Sequence, residues 1–413
     1  MPGWPAPNAA LRHSLDRWRR QPVDLRRFVI ALCIGTVAGS LVDPAFNNYL
    51  RDTFSLGADQ RGKLEFPREL PGFLVTFTSG LLFFLPEART AAVATVVTAL
   101  GVAGLAWAGS SYATMVACMF CWSLGMHLMM PMRSAITLSF ARQGQQATIL
   151  GVTGSITTVA SILGSAAGWW LFARFGANAH SYNAAFLASA VLMMASAVLL
   201  LRLSTPTVGE ARPRAKLVVR RRYWVYYVMS MLSGARKQVF ITFAPWVLIT
   251  IFHQGPSTFA ALAIVASILG TGVQPLLGRL IDRFGERRLL VLEGLLLVLV
   301  CLGYGFGHRL GATEFVLPLI CVCFVFDNLL FSFGMARTTY VTKIAERQED
   351  LTATLSLGVT LDHAVSMSIP VLGGLTWMAY GFEYVFLGAA GLAILSAVVA
   401  LQVRLPASTA ATG

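Results

Sequence analysis

Twelve apolar runs, each near the length needed to cross a bilayer, constrain this chain more than any motif in it. A spanning helix takes about 20 mainly apolar residues at roughly 1.5 Å rise each. Runs of that kind lie near residues 28–50, 66–85, 90–108, 112–138, 147–172, 184–201, 223–252, 259–277, 289–306, 315–341, 352–377 and 384–401. Only a few polar residues part the third from the fourth and the ninth from the tenth. The chain is 56% hydrophobic with a mean hydropathy of +0.67, so in water it would expose far more apolar surface than a soluble protein tolerates. The expected fold is all-α and integral to a membrane.

A net charge of +13 raises nucleic acid as a partner, but the placement of the charges argues for topology instead. Of the 32 Lys and Arg, 22 fall on one side of the twelve spans, six on the other and four within them. The basic side holds both termini, and the positive-inside rule makes it cytoplasmic. The balance implies contact with anionic lipid and no nucleic-acid partner. Residues 1–27 carry six Arg and four Pro ahead of an apolar run of over 20 residues, which reads as a cytoplasmic tail and a first span rather than a cleaved signal. All six cysteines fall within spans; Cys118-x-x-Cys121 has metal or redox spacing, but packing is the expected role, with no disulfide. Compact loops without an evident external glycosylation site suggest a bacterial inner membrane.

The polar segment 202–222 splits the spans into six and six. The expected parts are a tail over 1–27, a bundle over 28–201, a basic linker over 202–222, a second bundle over 223–401 and a tail over 402–413. The halves repeat one another. Arg133 and Arg337 are 204 residues apart, Gly154 and Gly358 also 204, and Gly176 and Gly381 205. An even number of spans per unit makes the repeats parallel. The same register sets GLLFFLPEAR (80–89) opposite GRLIDRFGER (278–287), so each is a link between the second and third helix of its half.

The stretch GRLIDRFGERR resembles the loop motif of the major facilitator superfamily, G-x-L-A-D-R-x-G-R-R-R. Gly278, Leu280, Asp282, Arg283, Gly285, Arg287 and Arg288 match it, and Glu286 departs at a basic slot. The twelve spans, the central basic loop and the parallel repeat extend the resemblance over nearly the whole chain. It implies alternating access, two six-helix bundles rocking about a midplane site, with Gly278, Asp282, Arg283, Gly285 and Arg287 as a gating latch. The first copy keeps Gly80, Leu82 and Arg89 but has Phe84 and Glu87 where the motif has Asp and Gly. The family's drug-antiporter signature in the fifth span is missing, and Pro370-x-x-Gly373-Gly374 in the eleventh is a partial echo.

An ionisable group within a span costs on the order of 2.5–3.5 kcal/mol, so it normally faces a cavity or a partner. Ten candidates stand out: Asp43, His127, Arg133, Arg236, Lys237, Glu293, Asp327, Arg337, Asp362 and His363. All but Glu293, which lies near the cytoplasmic boundary, are assigned to the substrate and proton pathway. Seven of the ten fall on spans 1, 4, 7 and 10, which the resemblance makes cavity-lining. Neighbours on a helix point about 100° apart, so Arg236 and Lys237 do not share one pore, and His127 and Arg133 diverge similarly. Arginine can grip a carboxylate or phosphate, and a buried carboxylate can load and release a proton. Asp43 with Arg133 is a candidate switch, in a layout similar to the family's proton-coupled organic-anion symporters. The alternative is static pairs: Asp43–Arg133, Asp327–Arg337 and Asp362–Lys237. His127 and His363 could relay protons or simply pack. The methionines of MHLMMPMR suggest packing, with a soft-metal path as the alternative. The stretch 51–72 reads as a solvated external loop.

The leading expectation is a proton-coupled secondary transporter for a small, polar, anionic solute, working as a monomer without cofactor or resident metal. The alternative is an exporter of amphipathic drugs or lysolipids. No phosphate loop, acyl-transfer pair or ligand cluster suggests an enzyme.

Overall fold

The computed structural model describes residues 19, 21–74, 85–107, 111–141, 146–204, 219–309, 313–345 and 348–404. The first copy of the loop motif up to Phe84, most of the basic linker and most of both tails lie outside the described residues. Every regular element among the described residues is helical. The first six are α1 (Val23–Phe54), α2 (Ala58–Phe73), α3 (Glu87–Trp107), α4 (Tyr112–Ser139), α5 (Gln146–Phe175) and α6 (Ala179–Leu201). After a short 3₁₀ turn follow α7 (Trp224–Thr250), α8 (Pro256–Phe284) and α9 (Glu286–Phe306). Then come α10 (Thr313–Leu330), α11 (Gly334–Ile344), α12 (Gln348–Tyr380) and α13 (Phe382–Ala400). The 3₁₀ turn Phe331–Phe333 joins α10 to α11, so those two helices make one span, the tenth. Ten of the twelve spans are long and apolar enough to cross a membrane among the described residues. The other two are α2 and α7, which carry buried charge, and that charge turns out to build the site.

Local chemistry fixes the helix ends. Asn178 caps α6 by accepting from the Ser181 amide at 3.0 Å, and Pro256 opens α8 at a position where no amide is needed. Gly285, at φ 82°, ends α8 and starts α9; its amide donates to the Ile281 carbonyl at 2.8 Å. Gly176 and Gly381, one repeat apart, both take positive φ just past the fifth and eleventh spans.

In the first half α3 packs on α4 and α6, and α1 on α5 and α6. In the second, α9 packs on α13, and α7 on α12 and α13. Across the halves α2 meets α12, and α8 meets α5 and α1. Arg27 donates to the Arg202 carbonyl at 3.0 Å, joining the start of α1 to the end of α6 on what we term the terminal face. On the opposite, distal face Asn48 donates to the Gln254 carbonyl and Arg51 to the Ile249 carbonyl, both at 2.8 Å, tying the halves together. The backbones of α2 and α12 come closest there. A Cβ on Gly62 would collide with the Pro370 carbonyl, and one on Gly374 would lie 2.7 Å from the Ala58 carbonyl.

Two readings of the chain change. Residues 51–72 are not a solvated loop: α1 runs to Phe54 and α2 begins at Ala58. Pro67 and Pro71, which suggested a turn, are absorbed within α2. In the loop motif, Asp282, Arg283 and Arg287 are exposed, and Asp282 makes no ion pair among the described residues. The paired residue is the one that departs from the motif. Glu286, fully buried, lies 2.6 Å from Lys343 near the end of α11.

Candidate functional site

Two adjoining cavities, here called lobes, share Met126 and Met130 in their linings. One lobe, about 320 Å³, is built by α1, α3, α4 and α6, and it holds Asp43 and Arg133 with Ser40, Trp122 and Met193. The other, about 510 Å³, joins the halves and holds Arg68, Glu69, His127, Lys237, Asp362 and His363, with Arg337 toward the terminal face. Depth follows from helix register. His127 is the sixteenth of 28 residues in α4, Lys237 the fourteenth of 27 in α7 and His363 the sixteenth of 33 in α12. The second lobe therefore sits at the midplane, where transporters of repeated architecture place their sites.

The pairings differ from the static set in two of three cases. Asp362 does hold Lys237, at 2.6 Å. Asp327, however, pairs with Arg236 at 2.6 Å, and the Arg236 guanidinium stacks 4.2 Å from the Phe331 ring. Arg337 turns instead to Glu293, at 3.1 and 3.2 Å. Asp43 and Arg133 share a lobe without an ion pair: Asp43 is exposed to the cavity, and Arg133 donates to the Thr157 hydroxyl at 2.9 Å. Arg236 and Lys237 diverge as the 100° step requires, one into the second half's core and the other into the cavity. Likewise His127 faces the second lobe and Arg133 the first.

The largest part of the site was hidden in α2. Arg61 and Glu65, 1% and 0% exposed, pair at 2.5 Å, and Gln238 of α7 donates to the other oxygen of Glu65. Asn47 accepts from Arg61 at 2.9 Å, and Arg68 reaches Glu65 at 3.0 Å. One turn deeper, Glu69 meets His363 at 2.8 Å and Lys237 at 3.7 Å. The ring of His363 lies edge-on to His127, with centroids 5.1 Å apart. The two layers thus join α2 and α4 of one half to α7 and α12 of the other. The signal for them was present: Arg61, Glu65 and Glu69 recur at i, i+4 and i+8, and they stack on one face once the segment is helical. Charge density and two prolines pointed to a loop instead.

Such a layer is strong while dry and weak once wet, because the interaction of two charges rises several-fold when water is excluded. Its members come from helices that belong to different halves, so its contacts tie the halves together.

A model of the Major Facilitator Superfamily matches residues 70–346 and 226–412. Among solved structures, the nucleoside transporter NupG superposes with a TM-score of 0.71 at 14% identity, over 93% of this chain and 99% of that one. A D-xylose–proton symporter gives 0.69 at 14%, over 93% and 97%. A bacterial homologue of the human lysosomal transporter Spinster, inward-facing and occupied, gives 0.69 at 13%, over 91% and 95%. At these identities the likeness is one of fold. No curated protein matches the sequence.

Proposed function

The chain belongs to the Major Facilitator Superfamily, and from that premise we propose that it carries a small, polar, anionic solute together with protons by alternating access. One observation carries the anionic reading. Arg133 opens into the cavity with a hydroxyl as its partner and no carboxylate, among the described residues. A guanidinium left so placed binds a carboxylate or phosphate through paired hydrogen bonds. Asp43, exposed in the same lobe and without an ion pair among the described residues, is the proton carrier in this reading. Loading a proton there neutralises the carboxylate, so the anion meets less repulsion when it enters. Glu69, His363, His127, Lys237 and Asp362 couple the load to the distal closure, since each charge change there alters the contact between the halves. Arg236, Asp327 and the Arg337–Glu293 pair serve as framework for the cavity wall.

The rocking bodies are residues 28–201 and 223–401, joined by the 202–222 linker, and the terminal face is the cytoplasmic one, in a bacterial inner membrane. The protein works as a monomer, each chain holding both bodies, with the lipid bilayer as its solvent. At the terminal face Gly285 supplies the hinge, and the exposed Asp282, Arg283 and Arg287 of the loop close the latch when the bodies rock the other way. The competing reading, export of amphipathic drugs or lysolipids, draws on Trp122, Met129 and Met193 in the first lobe.

Proteoliposomes with an internal pH dye separate the two. Challenged with organic anions, sugars, amino acids and amphipathic cations, the native protein should acidify the lumen with one anion class. Asp43→Asn and Arg133→Gln should each abolish that signal. A signal from amphipathic cations alone, or variants that behave as native, would favour the exporter.

A further inference from the structure

The side chains of Glu69, His127 and His363 offer three ligand atoms within 4.8 Å of one another at the floor of the second lobe. We propose that they form a binding site for a divalent first-row transition-metal ion. The site is separate from the Arg133 lobe and does not depend on which solute that lobe carries. Two imidazole nitrogens and one carboxylate oxygen are a donor set that takes Zn²⁺, Co²⁺ or Fe²⁺.

The surroundings prepare each donor. Nδ1 of His127 lies 2.8 Å from the Ser123 carbonyl, which can only accept, so that nitrogen carries the hydrogen. Nε2 keeps its lone pair, the arrangement in which outer hydrogen bonds orient metal-binding histidines. It points across Gly72 toward His363. A Cβ at residue 72 would lie 2.6 Å from His127 Nε2 and 2.5 Å from His363 Cε1, so only glycine leaves this space open. Glu69 and His127 are 8% and 5% exposed, and the His363 side chain 12%, which shields the ligands while leaving the cavity as the route in. Asp362 draws the Lys237 ammonium to 2.6 Å and leaves it 3.7 Å from Glu69. Lys237 and Arg68 face the site and oppose a cation. A tetrahedral ion with bonds of about 2.1 Å needs ligand atoms roughly 3.4 Å apart, so the side chains close by about 1 Å when it enters. With α2 and α4 in one half and α12 in the other, the ion would cross-link the halves and favour the distal-closed state.

The test uses the full chain, purified without a histidine tag, titrated with CoCl₂ while the visible ligand-field absorption is followed. We expect one Co²⁺ per chain, displaced by Zn²⁺. His363→Ala and Glu69→Gln should each weaken binding tenfold or more. Lys237→Gln should tighten it, a result that a purely structural role for the lysine does not produce. If a variant does not fold, X-ray absorption at the zinc edge of the native protein decides: two imidazoles in the first shell support the site. An all-oxygen shell, no saturable binding, or native affinity in a folded His363→Ala variant would overturn it.

Discussion

Arg61 and Glu65 form an ion pair buried to 1% and 0% exposure, and Arg61 in particular depends on its partner. Removing one partner of a buried pair leaves the other charge uncompensated, at about 3–5 kcal/mol. Glu65→Leu, which leaves Arg61 buried with only the Asn47 amide as partner among the described residues, should therefore lower thermal stability in detergent markedly, whereas the double variant Arg61→Met/Glu65→Leu should recover much of the loss. A loss that simply adds would mean the pair is not coupled. Arg133 behaves differently because its partner is a hydroxyl, at 2.9 Å. Arg133→Gln should cost no more than about 1.5–3 kcal/mol, the net worth of one hydrogen bond from a charged donor, while removing solute-driven flux. A large fall in melting temperature with flux retained would place Arg133 in the framework.

At the scale of elements, the contact of α2 with α12 rests on the absence of side chains. Gly62→Ala puts a methyl against the Pro370 carbonyl, a backbone atom that cannot rotate away. Overpacking of that kind costs roughly 1–3 kcal/mol, and here it should act on one state only. Cysteines introduced at the distal ends of α2 and α12 should become more reactive to an impermeant thiol reagent in Gly62→Ala than beside native Gly62; equal reactivity would show that the contact does not hold the face shut. At the other face, Glu286→Gln breaks the pair with Lys343 and should change the transport rate rather than stability, since Lys343 is 47% exposed.

These elements also show how far the sequence could be read. The spans whose charges are few, such as α3, α6 and α13, were legible from hydropathy alone, and the repeat was legible from Arg133 and Arg337. Asp362 with Lys237 was found because both sit near the middle of their helices. Asp327 and Arg337 were mispaired because helix register gives depth but not direction: Arg337 lies beside α9, where Glu293 is nearer. The whole of α2 up to Glu69 was lost to a local rule, that charged residues beside prolines mark a loop, which tertiary burial overrides. In Glu286 the sequence showed a departure from the motif, but its contact with Lys343 depends on where α11 ends and was not readable.

For the molecule as a whole, two parallel six-helix halves meet across a cavity that is tied off on the distal side by charge and by glycine contact. Under the alternating access proposed above, transport requires that tie to break and re-form. Of the groups in it, Glu69 links the halves twice, to His363 at 2.8 Å and to Lys237 at 3.7 Å, so its charge is the natural control point. Pulsed electron–electron resonance between spin labels at Lys63 and Tyr380, both exposed near the distal ends of α2 and α12, tests this directly. The account predicts a short distance dominating in the native protein and a longer one gaining population in Glu69→Gln. A single distance common to both proteins would contradict it.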